Sequence, residues 1–131
     1  MAILDALGAY LVTNSLGTLA TDIFLARMPD SPDACITIYE SKGASPQQVF
    51  GTSVYGVDRP RIRVLVRGTR NNYAATRAIA VSVRNVLGAV RNTTISSVPI
   101  LTIMASSEVY PLGRDAEDRV VFGCDYTVWL P

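Results

Sequence analysis

The sequence contains no histidine, and this absence removes several kinds of chemistry. Histidine is the commonest general base, it completes the usual serine and cysteine triads, and it is a frequent zinc ligand. The sequence also lacks a Walker loop, a GxGxxG motif, an HExxH motif and an EF-hand loop. Since the serines have no activating base, and no serine–lysine pair or carboxylate dyad stands out, we expect no enzyme and no catalytic, cofactor-binding or metal-binding residue.

Cysteine and charge are also scarce. The two cysteines, Cys35 and Cys124, lie far apart without a CxxC partner, which favours buried reduced thiols over a disulfide. Charged residues make up 18% of the chain and the net charge is +1, so no bulk field attracts nucleic acid or acidic membranes. No apolar run approaches the roughly 18 residues that span a bilayer, and the N-terminus lacks the pattern of a secretion signal. We expect a soluble, cytoplasmically made chain.

What the sequence does contain is enough apolar material for one ordered domain. Of the 131 residues, 49% are hydrophobic, and a chain of this size buries roughly two thirds of its unfolded surface. Helical spacing predicts a helix from Ala2 to about Thr13, and two apolar runs, 22–28 and 34–40, predict strand, turn, strand. Pro29 and Pro32 stiffen the turn between them because proline fixes φ and lacks an amide donor.

The segment 41–60 is rich in Gly, Ser, Pro and Gln and is longer than an ordinary connection. It is either a protruding hairpin or arm that orders against a neighbour, or a floppy surface insertion. Both interpretations stay open at this point.

The second half predicts a strand, a helix and two further strands. In RIRVLVRG, 61–68, the residues Ile62, Val64 and Val66 alternate with arginines and Leu65, which is typical of a half-buried strand. A helix follows from about Tyr73 to Val90, capped by Asn71 or Asn72. Strands are expected at 98–106, apolar on both sides and therefore central, and at 119–130, while the linking RNTTISS and YPLGRDAEDR read as turns.

This order predicts an α+β fold. We expect a single domain over 1–131 with a mostly antiparallel sheet, an N-terminal helix and a longer central helix packed on one face, and a long loop or arm at about 41–60.

Charged clusters allow further interpretations. Arg70, Arg77, Arg84 and Arg91 recur every seven residues and would form a basic ridge on a helix, used for solvation or for contact with acidic patches or DNA. Arg61, Arg63 and Arg67 with Tyr55 and Tyr73 could line a nucleic-acid groove, but arginines on an open strand face more commonly pair with acids such as Glu40. The acidic residues Asp115, Glu117 and Asp118 are typical of a hairpin tip and have few ligands for a metal site.

Three stretches together resemble the bacteriophage tail terminator family, also called tail completion or minor capsid proteins. They are the MPDSPD corner followed by IYE, the strand RIRVLVRG leading into an alanine-rich helix, and LGRD before the final strand. The segment 41–60 carries no resemblance. In place of the family's asparagine-centred pattern this chain has Cys124, Asp125 and Tyr126.

The resemblance implies a structural virion protein at the neck, the head-proximal end of the tail. Copies would form a ring, expected to be a hexamer, that caps the tail tube and joins the head. The implied partners are the chain itself, the tail tube protein and a head-completion or connector protein, with DNA crossing the lumen without sequence-specific binding and no membrane. The candidate assembly residues are Pro29, Asp30, Asp33, Gln47, Gln48, Phe50, Arg61, Arg63, Arg67, Arg77, Arg84, Arg114, Asp115 and Asp118. The alternative is a non-enzymatic soluble adaptor or small-ligand binding domain.

Overall fold

The computed structural model describes residues 3–17, 21–29, 33–48, 55–70 and 72–130. Two helices and seven strands are found in these ranges. In chain order they are α1 (Ile3–Thr13), β1 (Ile23–Leu25), β2 (Cys35–Gln48), β3 (Tyr55–Arg67), α2 (Tyr73–Gly88), β4 (Arg91–Ile95), β5 (Val98–Ala105), β6 (Tyr110–Arg114) and β7 (Val120–Trp129).

The strands form one sheet in the order β1-β2-β3-β7-β5-β4, and β6 also pairs with β7. The sheet is mixed, because β1 runs parallel to β2 with Ile23 beside Ile36, while the other pairs described are antiparallel. The expected short hairpin between the first two strands is therefore wrong. The nine-residue link after Leu25 returns the chain to the end of the sheet where β1 began, as parallel pairing requires.

The core lies between the helices and one face of the sheet. The alternation predicted for 61–68 is confirmed, since Ile62, Val64 and Val66 are buried together with the even-numbered side chains of β7 and residues of both helices. Helix α1 contacts β1 and β2 near one edge and β4 at the opposite edge, so the sheet curls around it. Buried residues of these four elements include Leu7 and Leu11 of α1, Val83 and Leu87 of α2, Ile62, Val64 and Val66 of β3, and Val120, Phe122, Cys124, Tyr126 and Val128 of β7.

Strands β4 and β6 occupy segments expected to be turns. The β4–β5 turn is made by Ser96 and Ser97 at φ 47° and 68°, although such two-residue turns usually contain glycine or asparagine. Strand β6 contains Pro111 and Gly113, both uncommon inside strands, and its register with β7 shifts between Pro111 and Arg114. The sequence signals of both segments therefore favoured turns.

Strand β5 lies between β7 and β4, which agrees with a central position. The strand is apolar on both sides, but only one side is buried. Ile100 and Ile103 are buried, whereas Leu101 and Met104 are exposed, Met104 by 55%. The outer face of the sheet is thus uncovered at this strand within the single chain.

Helix α2 begins at Tyr73 as predicted but ends at Gly88, two residues early. Asn72 occupies the N-cap position without a side-chain hydrogen bond. Arg70 precedes the helix and Arg91 belongs to β4. The continuous basic ridge is therefore wrong, and only Arg77 and Arg84 of the four arginines lie on the helix.

Strands β2 and β3 extend into the segment 41–60. Their pairing continues through Ala44 with Arg59, Gln47 with Val57 and Gln48 with Tyr55, with register shifts between these pairs. Residues 49–54, which join the two strands, lie outside the described residues. The function proposed for this segment as an arm stays a prediction.

Candidate assembly surfaces

Arg67 ends strand β3 and binds the loop that the sequence predicted as a stiff corner, here called the corner (its described residues, 26–29 and 33–34). Only 4% of Arg67 is exposed. Its Nε donates to the carbonyl oxygen of Asp33 at 2.8 Å, and its Nη2 donates to the carbonyl oxygen of Pro29 at 2.5 Å. The strand pattern placed Arg67 on an open face, but its guanidinium is held among loop carbonyls. Charge-assisted bonds of this kind are short and strong, so they fix the corner against the sheet.

Arg119 is a second buried arginine at the same end of the sheet, with 5% of its side chain exposed. Its Nε donates to Asp115 Oδ2 at 2.8 Å and its Nη1 donates to Asp33 Oδ1 at 3.1 Å. Sequence reasoning missed Arg119, because it stands in a polar turn and its partner Asp33 is 86 residues away. The two arginines thus meet on Asp33, one at its carbonyl and one at its carboxylate.

Asp115 organises the turn before β7, here called the acidic turn (115–119). Its Oδ1 accepts hydrogen bonds from the backbone N–H groups of Arg119 at 2.9 Å and Glu117 at 3.0 Å. The bond from the Arg119 N–H is the main reason that the pKa of Asp115 is lowered from its ordinary value. The main contacts of Asp115 are therefore within its own turn. They leave only about a quarter of its side chain exposed.

Arg114 and Asp118 flank the same turn and face solvent more fully. Arg114 Nη1 donates to the carbonyl oxygen of Asp118 at 3.0 Å, and the two side chains form an ion pair at 3.5 Å. Asp118 has φ 63°, a left-handed conformation that aspartate tolerates better than most residues. Within the described ranges, no group of three or more Cys, Asp or Glu side chains is placed to hold a metal ion.

A third loop joins this end of the sheet. Arg70 Nε donates to the carbonyl oxygen of Glu117 at 2.9 Å, which ties the connection between β3 and α2 to the acidic turn. The connection also requires glycine at position 68, because a Cβ there would lie 1.8 Å from Thr76 Oγ1. Thr76 is itself buried and donates to the carbonyl oxygen of Asn72 at 2.6 Å.

Two other arginines of β3, Arg61 and Arg63, face solvent on the outer side of the sheet. Arg61 is exposed, and Arg63 Nε donates to Asp125 Oδ1 of β7 at 2.8 Å. This hydrogen bond raises the pKa of Arg63. Glu40, the partner suggested by the sequence, is instead in register with Ile62 and so points to the opposite face.

Two of the residues suggested for a nucleic-acid groove, Arg67 and Tyr73, do not lie with the exposed arginines of β3. Arg67 is buried in the corner, and Tyr73 packs edge-on against Phe122, with ring centroids 5.0 Å apart. Phe122 belongs to the core side of the sheet, so Tyr73 does not share a face with Arg61 and Arg63. Tyr73 is therefore displaced from the exposed arginines with which it was grouped.

Helix α2 and the arm supply the remaining candidates. Arg77 is exposed, and Arg84 forms an ion pair with Glu108 at 3.5 Å. Gln47 and Gln48 lie in β2 opposite the start of β3. Asp30 and Phe50 lie outside the described residues.

A cavity of about 330 Å³ opens beside the corner, between the end of α1, the start of β2 and helix α2. Arg67 lines this cavity, but its guanidinium group already donates to the carbonyl oxygens of Asp33 and Pro29 in the corner. Ligand pockets usually present polar groups aimed at the ligand. Since the Arg67 guanidinium is bound to the corner, its presence in the lining does not support the small-ligand alternative. The lining residues are Ser15, Leu16, Asp22, Ala34, Cys35, Ile36, Val66, Arg67, Ile79 and Ser82.

The two cysteines are free and buried, as predicted. Burial is the main reason that the pKa of the Cys35 thiol is raised, which makes it a poor nucleophile. Neither of the two described helices is long and apolar enough to cross a membrane.

Comparison with known proteins decides the family. A family model described as "Bacteriophage tail terminator protein" matches residues 10–130. The chain belongs to the tail terminator family. Membership makes it a structural component of a phage-type virion, and it confirms the resemblance seen in the corner, the arginine strand and the LGRD turn.

Solved structures support the same fold. A chain of the "Virion of native gene transfer agent (GTA) particle" is similar with a TM-score of 0.67 and 14% sequence identity, covering 98% of this chain and 94% of that one. No match is found among curated proteins. At this low identity the structural likeness concerns the fold, while the family match carries the assignment of the tail terminator.

Proposed function

We propose that this tail terminator forms a ring that caps the completed tail tube and provides the surface to which the DNA-filled head attaches. The observation that carries the proposal is the family match, which spans nearly the whole domain. The expected ring is a hexamer at the neck of the particle, in contact with the tail tube protein below and a head-completion or connector protein above. DNA would cross its lumen without sequence-specific contacts, and the role is not enzymatic.

The geometry supports such a role in one respect. A ring needs two different surfaces on each subunit that fit each other, since closure of a heterologous contact avoids an open filament. Ordered loops reduce the entropy cost of making these contacts. The corner and the acidic turn are ordered by Arg67 and Arg119 before any partner is present, so their candidate residues are prepared for a contact of this kind.

The proposal is tested by a stop codon early in the gene, followed by electron microscopy of the particles. We expect separate full heads and overlong, unfinished tails, and normal virions when the intact gene is supplied in trans. Normal virions without the gene product would contradict the proposal and direct the work to the adaptor alternative.

A narrower test concerns the arm. Phe50→Asp should leave the far-ultraviolet circular dichroism spectrum of the purified chain unchanged but prevent ring formation, measured by native mass spectrometry. Phe50→Tyr is the matched control, because it keeps the aromatic ring and should assemble. A Phe50→Asp chain that assembles normally would remove the arm from the contact surface.

A further inference from the structure

The corner and the acidic turn belong to distant parts of the chain, yet they share one residue. Asp33 gives its carbonyl oxygen to Arg67 and its carboxylate to Arg119. Arg119 in turn is bound to Asp115 through its side chain and through its backbone N–H. A continuous series of bonds therefore runs from β3 through the corner to the turn before β7.

Backbone hydrogen bonds beside each loop can be followed: for the corner they are the end bonds of the β1–β2 pairing that the corner connects, and for the acidic turn they lie within the turn. In the corner and the residues flanking it, the Ala26 N–H donates to the Ile38 carbonyl and the Ile36 N–H donates to the Asp22 carbonyl, both at 2.8 Å. In the acidic turn, the Asp115 N–H donates to the Arg119 carbonyl and the Asp118 N–H to the Asp115 carbonyl, both at 3.0 Å. These four amides can be followed separately.

The burial of Arg119 couples the two loops. A guanidinium with 5% of its side chain exposed is poorly hydrated, so removal of a carboxylate partner is expensive. If the corner opens, Arg119 loses Asp33, and if the acidic turn opens, it loses Asp115. Opening of either loop therefore weakens the bonds that close the other.

We infer that Asp33 and Arg119 form a latch that makes the corner and the acidic turn open and close as one unit. The use of this unit in assembly rests on the proposed function. In that setting the candidates Pro29 and Asp33, in the corner, and Asp115 and Asp118, in the turn, belong to one contact surface. The coupling itself is a property of the isolated chain.

The test is amide hydrogen exchange of the purified protein, measured by NMR, with Asp33→Ala. The variant removes the carboxylate bound by Arg119 at a side chain that is 60% exposed, so folding should be retained. We expect exchange at least tenfold faster at Ala26 and Ile36 and also at Asp115 and Asp118, while core amides of β3 and β7 stay protected. Asp33→Asn, which keeps one acceptor oxygen, should give a smaller increase at the same four amides.

The matched control is Asp118→Asn. Like Asp33→Ala, it removes one negative charge, but from Asp118, whose described ion pair is with Arg114. Asparagine tolerates the positive φ of this position. This variant should leave the exchange of Ala26 and Ile36 unchanged. Faster exchange in the corner alone after Asp33→Ala, or equal loss of protection throughout the core, would overturn the latch. Because no tail or head is needed, these outcomes are independent of the test of the proposed function.

Discussion

Arg61 in the middle of strand β3 and Arg67 at its end come from one alternating pattern but lie in different surroundings. Arg61 and Arg67 lie six residues apart, about 20 Å along the strand, and both were expected on the open face. Arg61 is exposed, whereas Arg67 is buried and bound to two loop carbonyls. The alternation thus determines the face of a residue, while the loops at the end of the sheet determine whether that face meets solvent.

The largest difference in the free energy of unfolding is expected between two single variants, one with Arg67 and one with Arg61 replaced by methionine. Arg67→Met removes two charge-assisted hydrogen bonds and should lower the free energy of unfolding by about 3 kcal/mol. Arg61→Met, in the same strand, should change it by less than about 0.5 kcal/mol. Urea denaturation measures the free energy of unfolding of both variants. Equal values would show that the buried contacts of Arg67 stabilise the fold no more than the exposed Arg61 does.

Gly68 gives the next largest effect, because it follows Arg67 directly. Gly68→Ala places a Cβ against Thr76 Oγ1 and should destabilise by about 1–3 kcal/mol, the usual cost of overpacking. The control is Gly88→Ala in helix α2. There the added Cβ would meet no atom within 4 Å apart from its chain neighbours and the backbone of its own helix. That change should stabilise by up to about 1 kcal/mol. Thermal unfolding of both variants checks the contrast, which fails if Gly68→Ala is as stable as the wild type.

Acid should weaken the end of the sheet that contains Asp115. Its pKa is lowered in the folded state, so its contribution is fully present above the ordinary aspartate pKa of about 3.9 and is lost as the pH falls through the lower folded value. The free energy of unfolding of the wild type should therefore decline with pH in this range more steeply than that of Asp115→Asn. Parallel pH profiles for the two proteins would contradict the assignment.

The smallest effect is expected at the exposed pair between Arg63 and Asp125. A double-mutant cycle with Arg63→Met and Asp125→Asn should give a coupling below about 1 kcal/mol, and this coupling should shrink with added salt. The same cycle on Arg119 and Asp115 should give a larger and less salt-sensitive value, since Arg119 is buried. If the exposed pair proves the stronger one, burial does not explain the difference between the two ion pairs.

Sequence periodicity predicted the regular part of the fold. The period of two in 61–68 identified the buried face of β3, and helical spacing identified both helices, because these patterns depend on neighbours along the chain. The parallel β1, the Ser96–Ser97 turn and the strand β6 were not predictable in this way. Their pairing depends on contacts with other strands, and in the segment 91–97 and in β6 the local residues also favour turns.

The candidate site was predictable as a set of loops but not as an arrangement. The prolines and acids of the corner and the acids of the turn indicated ordered reversals, and the resemblance indicated a virion subunit. The roles of Arg67 and Arg119 were hidden, since their partners in the corner lie 34 and 86 residues away. An arginine inside an alternating strand or a polar turn is usually solvated, and only the folded chain shows these two to be buried.

The most direct test of the proposed role is the joining of heads to tails in vitro. Tails and full heads from particles made without this protein would be incubated with the purified wild-type chain, with the heat-unfolded chain or with buffer, and joined particles counted by electron microscopy. We predict joined particles only with the folded chain. Heads that attach to tails equally well in all three mixtures would contradict the proposal that this tail terminator provides the joining surface.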